Sequence, residues 1–407
     1  LAQSDPSPFP KLRSIDTTPV IRGGKHLILL RDPLRLVEQQ IIIPQEIAPL
    51  LALCDGTRDS RAMSAALAVR YGQNVSADEI EGLLSALDNT LLLENERFHQ
   101  AKEQALSEYR QAPFRKPILA GVSYPSDRDA LKDALQCYQE EHEIILQEVS
   151  CRGLLSPHID YERGGPVYAK VWGQAMRSIQ ETELTILLGT DHFGEGSLLS
   201  LTRQNYSTPY GLLPTAVDVV DQLAQAIGKA GAFAGELYHR AEHSIELAAV
   251  WLHHIREGRP CEILPILCGS LNRYINTEGG PQAELTLQRF IQSLRAIIAD
   301  RQAIVVAAGD LSHVGPAFGG HPLDFVGRAR LQASDQDLIE RILAGDSQGF
   351  FDAIRRVEDR NNVCGVAPIY LTLQLLSPVR GELLAYDRCP ADSQGTSIVS
   401  ICGVLFQ

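Results

Sequence analysis

An α/β protein with a largely covered central sheet, preceded by a small domain of three helices with β-wings, is the fold class this sequence predicts. Three observations predict it. From residue 117 to 407, apolar runs of strand length alternate with amphipathic helical patterns, which implies a sheet with helices on both faces. From 26 to 97 the pattern changes to two β-like stretches followed by three helical ones. At 407 residues the chain exceeds what one hydrophobic core usually serves, so two domains are the natural organisation.

Taken in order, residues 1–25 read as an extended arm, rich in Ser, Pro and Asp through residue 20. Residues 26–30 and 40–43 are β-like, and 45–53, 59–71 and 76–89 are helical. Asp59 or Ser60 offers an N-cap to the second helix, and Ser76 with Glu79 forms a capping-box signature for the third. Residues 90–94 read as a last strand. A polar helix at 98–110 and the Pro-bounded segment 113–117 make a linker over 98–116.

In the long domain the expected helices are 127–141, 166–179, 215–227, 244–255 and 281–299, with further helices across 324–376. The expected strands are 153–157, 184–188, 198–202, 262–268, 303–308, 382–387 and 397–405.

Bulk properties exclude some functions. A net charge of -13 argues against a nucleic-acid partner, which needs a basic face. Residues 1–115 alone hold 13 Lys/Arg against 15 Asp/Glu, so the small domain is not basic either. No apolar stretch reaches the ~20 residues that cross a bilayer, and no signal pattern opens the chain. The eight cysteines show no CxxC pair or disulfide-framework spacing, which suits reduced thiols in a cytoplasm.

Four polar runs carry the chemistry. They are Ser156-Pro157-His158-Ile159-Asp160, Gly189-Thr190-Asp191-His192-Phe193-Gly194, Glu242-His243-Ser244-Ile245-Glu246 and Gly309-Asp310-Leu311-Ser312-His313. Imidazoles and carboxylates at the ends of apolar runs are costly to bury unless paired or bound to a ligand, so their repetition points to one shared pocket. Three strands end at His158, Asp191-His192 and Asp310, and carboxyl ends of strands are where open α/β sheets bind ligands. Two neutral imidazoles plus a carboxylate, with positions left open, suit ferrous iron.

Around this set, Asp191 is placed either to orient the ring of His192 or to cap the following turn. Ser244 can cap a helix, with Glu246 as a first-turn acid. Asp160 and Tyr161 are nearby polar candidates, and Gly164-Gly165 before a helix is a candidate anion site. His26, His99, His253 and His254 read as surface residues. Cys364, before Gly365 at a helix start where the macrodipole lowers a thiol pKa, is the one thiol singled out as a reactive candidate, with a buried structural cysteine as the favoured reading.

The order of these runs resembles the Memo family over residues 117–407. Ala120-Gly121-Val122-Ser123-Tyr124-Pro125 precedes them, Thr208-Pro209-Tyr210-Gly211 lies between them, and Cys364-Gly365 with Pro368 follows. The resemblance implies the fold of class III extradiol ring-cleaving dioxygenases, in which two histidines and a glutamate hold iron. His158 and His192 match those histidines. Where some Memo proteins carry a third, cysteine ligand, this chain is read as having Ser312, a poor ligand for a divalent metal. Asp310 or His313 is then expected to complete the set, with His243 beside the metal as an acid–base group. Fe(II) is the implied cofactor, with copper or zinc as alternatives.

Residues 26–97, with Leu53-Cys54-Asp55-Gly56-Thr57 closing the first helix, look like a PqqD-like winged-helix module. Such modules bind a peptide by adding it as a strand to an exposed edge. The layout is similar to the B component of the AmmeMemoRadiSam system, which implies a radical-SAM partner and an AMMECR-like partner. Two functions are therefore expected to compete: a metal-dependent, dioxygenase-like oxidoreductase, or an adaptor that keeps the fold and binds a peptide or partner.

Overall fold

The structure is a computed structural model that describes residues 8–37, 39–140, 150–194, 196–277 and 279–407. The first seven residues of the expected arm, and the end of the helix expected at 127–141, lie outside the described residues. The chain divides into two compact units, residues 1–112 and 113–407.

In the first unit β1 (Asp16–Arg22), β2 (Lys25–Arg31) and β3 (Ile41–Pro44) form an antiparallel sheet in that order. β1 falls within the segment expected as an arm. Its pairing follows from Gly23 and Gly24, whose φ values of 58° and 74° build the left-handed two-residue turn that closes Arg22 against Lys25. Helices Ala48–Leu53, Ser60–Tyr71 and Ala77–Asn89 occupy the expected places. Asp59 caps the second by accepting from Ala62 N–H, and Ser76 and Glu79 make the full capping box on the third.

Residues 90–94 do not form the expected strand. Leu91–Leu93 are buried as a hydrophobic plug, and among the described residues an isolated bridge from Leu93 to Leu12 is their only strand-type pairing. Helix Glu96–Gln111 packs into this unit rather than linking it onward, burying Phe98, Ala105 and Tyr109.

In the second unit β4 (Gly153–Ser156), β5 (Leu184–Thr190), β6 (Leu199–Leu201), β9 (Glu262–Cys268), β10 (Ala303–Ala308), β11 (His313–Val314), β12 (Gly381–Pro390) and β13 (Ile398–Phe406) build one mixed sheet. Between them in sequence, β7 (Tyr206–Thr208) and β8 (Gly211–Leu213) make a separate hairpin around Pro209-Tyr210. The large sheet runs β11-β13-β4-β10-β5-β9-β6, with β12 on β13. Its centre, β4-β10-β5-β9, is parallel, and the flanking β13 and β6 are antiparallel.

Alternate residues of the central strands feed two cores, one on each face. Ile186, Leu188, Ile266 and Val305 pack on one side, and Leu187, Ile263, Leu267 and Val306 on the other. This two-sided burial is why the strands read as continuous apolar runs, and the expected α/β class holds. Helix Tyr161–Gln174 starts five residues before the expected point because Asp160 caps it, accepting from Arg163 N–H at 3.1 Å. Gly164 and Gly165 are therefore inside the helix and not an anion site. A Cβ at Gly165 would lie 2.5 Å from the Tyr138 ring, so close packing is what the pair serves.

Helix Ser244–Ile255 is buried along its whole length, which places His253 and His254 in the core rather than on the surface. Each imidazole is satisfied there: His253 Nδ1 pairs with Thr208 Oγ1 at 2.8 Å, and His254 Nδ1 with Tyr210 hydroxyl at 2.9 Å. His26 and His99 are exposed, as expected. The eight cysteines are all free, and no helix among the described residues is long and apolar enough to cross a membrane.

Candidate metal centre

Register brings the polar runs together. In the parallel centre, Ala308 of β10 is level with Ser156 of β4 on one side and Gly189 of β5 on the other. His158, Asp310 and His192 therefore leave three adjacent strands at the same end of the sheet. The rings of His158 and His192 lie 4.9 Å apart between centroids, and His243 lies 5.5 Å from the first and 4.8 Å from the second. One donor atom from each of these three histidines falls within 4.8 Å of the others. A second group meeting the same limit is His158, Asp310 and Cys364. His158 is common to both.

Hydrogen bonds determine which nitrogens face inward. His158 Nδ1 lies 3.0 Å from the carbonyl of Ala308, which can only accept, so Nδ1 carries hydrogen and Nε2 points at the site. His192 Nδ1 lies 3.0 Å from both oxygens of Glu242, leaving its Nε2 for a ligand. His243 Nδ1 is 3.1 Å from the same carboxylate. Glu242, 1% exposed, also accepts the backbone N–H groups of His192, His243 and Ser244. Burial opposes its charge, but His192 and His243 prevail and hold the carboxyl well below its usual range.

Glu242 thus orients both rings, the role the sequence left to Asp191. Asp191 takes its other expected part, accepting from Phe193 and Gly194 N–H in the following turn. Ser244 does not cap its helix. Its hydroxyl donates to Thr190 O at 2.8 Å, and Glu242 satisfies the helix-start N–H groups instead. Glu246 is more than a first-turn acid. It pairs with the fully buried Arg115 and accepts from Ile118 N–H, Leu119 N–H and the Tyr124 hydroxyl. Arg115 in turn donates to the carbonyls of Glu242 and His239 at 2.7 and 2.9 Å, fixing the backbone that presents Glu242.

Cys364 is the residue that sequence reading undervalued. Its Sγ lies 3.2 Å from His158 Nε2 and 3.7 Å from the carbonyl of Asp310. The following glycine explains the approach: Gly365 N–H donates to Asp310 O at 2.9 Å, and a Cβ there would sit 2.5 Å from that oxygen. Gly309 is just as constrained, since its Cβ would fall 2.8 Å from Gly365 Cα. The loop is tied from β5 as well, where Thr190 Oγ1 donates to Cys364 O at 3.1 Å. Burial opposes ionisation of the thiol, yet His158 and His313 beside it hold it down to about 5. Burial would lower His158, but Cys364 and then Asp310 raise it to about 9. Neighbouring charge activates this cysteine.

Ser312 is fully buried and its hydroxyl donates to Asp335 at 2.6 Å, so it anchors the loop through Asp335. Asp310 is 1% exposed. One of its oxygens accepts His158 N–H at 2.8 Å and the other lies 3.7 Å from His158 Nε2. His313 belongs to neither donor group, its Nδ1 3.2 Å from Leu311 O and its ring edge-on to Phe318. It lines, with His158, His192, His243, Asp310 and Arg163, a cavity of about 510 Å³. Asp160, its carboxylate on Arg163, is also at this wall. Tyr161 is buried behind it, donating to Leu247 O at 2.7 Å.

Residues 115–405 match the family of Memo-like proteins. The chain belongs to the Memo family. A MEMO1 family protein of Aquifex aeolicus is 26% identical over 405 residues, 98% of this chain and 99% of its own, so that similarity extends through the first unit. One from Methanosarcina acetivorans is 31% identical over 279 residues, 67% of this chain and 91% of its own. A third, from Thermus thermophilus, is 27% identical over 324 residues, 78% of this chain and 90% of its own.

Two expected results follow from this Memo site. Gly365→Ala should destabilise the protein by roughly 1–3 kcal/mol, because the added methyl meets backbone that cannot retreat. An unchanged urea midpoint would show that the Cys364 loop has slack. In metal-free protein, alkylation of Cys364 by iodoacetamide should stay fast as pH falls from 9 and decline only near about 5, where its thiolate is protonated. A decline already at pH 8, followed by peptide mass spectrometry, would mean an ordinary thiol.

Proposed function

We propose that this Memo protein holds one transition-metal ion, iron in the first instance, between His158, His192 and Cys364, and uses it for an oxidative step on a small substrate in the adjoining cavity. One observation carries the reading: both histidines spend Nδ1 on fixed protein acceptors and present Nε2 to the same space, where Cys364 Sγ lies 3.2 Å from one of them. Two donors on one ion, with bonds of about 2.1 Å to nitrogen and 2.3 Å to sulfur, stand roughly 3.1–3.6 Å apart, so this spacing is that of neighbouring ligands. Two imidazoles and a thiolate suit iron, copper or zinc, and copper and zinc are the alternatives the assay must separate.

When bound, such an ion supplies an open coordination position and one-electron chemistry. Asp310 faces His158 and offers the carboxylate that completes an iron-type set. Glu242 keeps His192 and His243 in one tautomer, with their Nε2 atoms available. His243 is a third exposed on the cavity wall, placed to take a proton from a substrate hydroxyl and return it to product. Arg163 and His313 at the same wall favour an anionic or enolic substrate.

Elemental analysis after anaerobic purification tests the proposal. About one iron, copper or zinc per chain is expected, and loss of it in His192→Ala with an unchanged circular dichroism spectrum. Protein that retains none of the three after anaerobic reconstitution would end it. Glu242→Gln should weaken retention about 10–100-fold by releasing both rings, and unchanged affinity would make that carboxylate merely structural.

A second reading concerns the first unit. β1 and β3 are the outer strands of its sheet, and Ile42 of β3 is 44% exposed. This geometry favours peptide addition at an edge, as in the PqqD-like modules. Under this reading the radical-SAM and AMMECR-like partners would deliver or modify the peptide. Titration of the full chain with candidate leader peptides tests it, and binding that survives Ile42→Pro would place any contact elsewhere.

A further inference from the structure

Five buried rings run in contact from the metal centre to a second cavity. Tyr168 hydroxyl donates to the carbonyl of Ile159, the residue after His158, at 2.9 Å. The Tyr168 ring is stacked on Trp251 with centroids 5.8 Å apart and planes 6° from parallel. Tyr161 lies edge-on to both, at 5.1 and 6.1 Å. Trp251 meets His254 at 5.5 Å, and His254 meets Tyr210 at 5.9 Å. Tyr210 and His254 line a cavity of about 560 Å³ together with Arg128, Lys132, Gln139 and Glu257. None of those six residues lines the metal-site cavity.

Core packing alone accounts for stacked rings, but not for the polar chemistry at the two ends. His254 Nε2 lies 3.1 Å from Gln139 Oε1 and so carries hydrogen, which leaves Nδ1 to accept from the Tyr210 hydroxyl at 2.9 Å. Burial, with Lys132 nearby, lowers His254 to about 4, so the imidazole is neutral and a weak base, one that takes a proton from a phenol only when the phenol is oxidised and strongly acidic. Tyr210 is therefore a phenol with a base on its hydroxyl. Trp251 is the opposite case. Its indole N–H has no hydrogen-bond partner among the described residues. An indole that loses an electron there has no acceptor for its proton, and it refills from a neighbour rather than storing the charge.

We infer that Tyr210, His254, Trp251 and Tyr168 form an electron conduit that carries reducing equivalents from the second cavity to the metal centre. This rests on the redox reading proposed above. Each turnover of the conduit moves one electron. Tyr210 gives an electron toward Trp251 and its phenolic proton to His254 Nδ1. A one-electron donor of the hydroquinone class in the cavity then restores that electron, and His254 returns the proton. The donor would be oxidised by one electron, and a metal held at the site and oxidised beforehand by dioxygen or peroxide would be reduced by one.

The test begins without metal. In a Cys364→Ser background the exposed Cys137 is labelled with a ruthenium polypyridyl photo-oxidant, and flash photolysis is run with an irreversible electron acceptor. Transient absorption of an indole radical is expected, abolished by Trp251→Phe, kept by Trp172→Phe, and prolonged at least tenfold in lifetime by Tyr210→Phe, which keeps the ring but removes the hydroxyl through which Tyr210 refills Trp251. With only two tryptophans in the chain the assignment is direct. No indole radical, a radical that survives Trp251→Phe, or a radical lifetime that Tyr210→Phe does not lengthen would overturn the conduit while leaving the metal reading intact. In metal-loaded protein treated with peroxide, a tyrosyl signal from Tyr210 is expected by electron paramagnetic resonance. It should be lost in Trp251→Phe at equal metal content, and its persistence there would also overturn the conduit.

Discussion

Cys364→Ser is expected to lower metal affinity by at least about 100-fold, beyond the range of an orienting residue, because it exchanges the thiolate beside His158 for a neutral hydroxyl. The change leaves the shape of the loop untouched: Gly365 still bonds to Asp310 O, and Thr190 still holds the carbonyl of residue 364. The partner experiment is Ser312→Ala. Its hydroxyl serves Asp335, so metal affinity should move by less than threefold while stability falls by roughly 1–3 kcal/mol, as Asp335 loses a buried donor. Competitive chelator titration of both variants decides between them. Equal affinity for Cys364→Ser and the parent would remove the thiolate from the site, and a large loss in Ser312→Ala would return the role to position 312.

The largest effect on stability is expected from Arg115→Met, at about 3–5 kcal/mol, the range for stranding one charge of a buried pair. Arg115 and Glu246 side chains are 0% and 1% exposed, so neither is relieved by water. Methionine keeps much of the volume, and the deficit then reports the uncompensated Glu246 carboxylate and the freed carbonyls of Glu242 and His239. Urea unfolding of Arg115→Met, Glu246→Gln and the double variant gives the coupling energy, which should exceed about 1 kcal/mol for groups in direct contact. Additive losses would mean that the ion pair is incidental. Because Arg115 fixes the backbone of Glu242, the same variant should also weaken metal retention.

His158 and His192 were legible because each ends a continuous apolar run, and such runs are the text of parallel strands covered on both faces. Asp310 was legible for the same reason. His243 was found through the family likeness, on a helix whose start was correctly placed at residue 244. Glu242 was in view but without a role, since an acid before a helix normally reads as a cap. It does satisfy the helix start, and the same oxygens hold two imidazoles that arrive from other parts of the chain. His253 and His254 were misjudged because a helix buried on every side leaves no polar stripe to mark its faces.

By itself, then, the sequence determined the α/β class, the central strands and most of the helices that cover them, and the family, because strand and helix periodicity and ordered motifs are local properties of the chain. It also determined that several polar groups end at one rim. Which of them meet was decided only by tertiary structure. Cys364 reaches His158 because two glycines, Gly309 and Gly365, let backbones 56 positions apart in sequence approach to contact, with Gly365 N–H on Asp310 O at 2.9 Å. Ser312, two residues from Asp310, turns instead to Asp335. Side-chain direction at a strand end depends on the neighbouring strands and loops that satisfy it, and those partners lie far away in sequence.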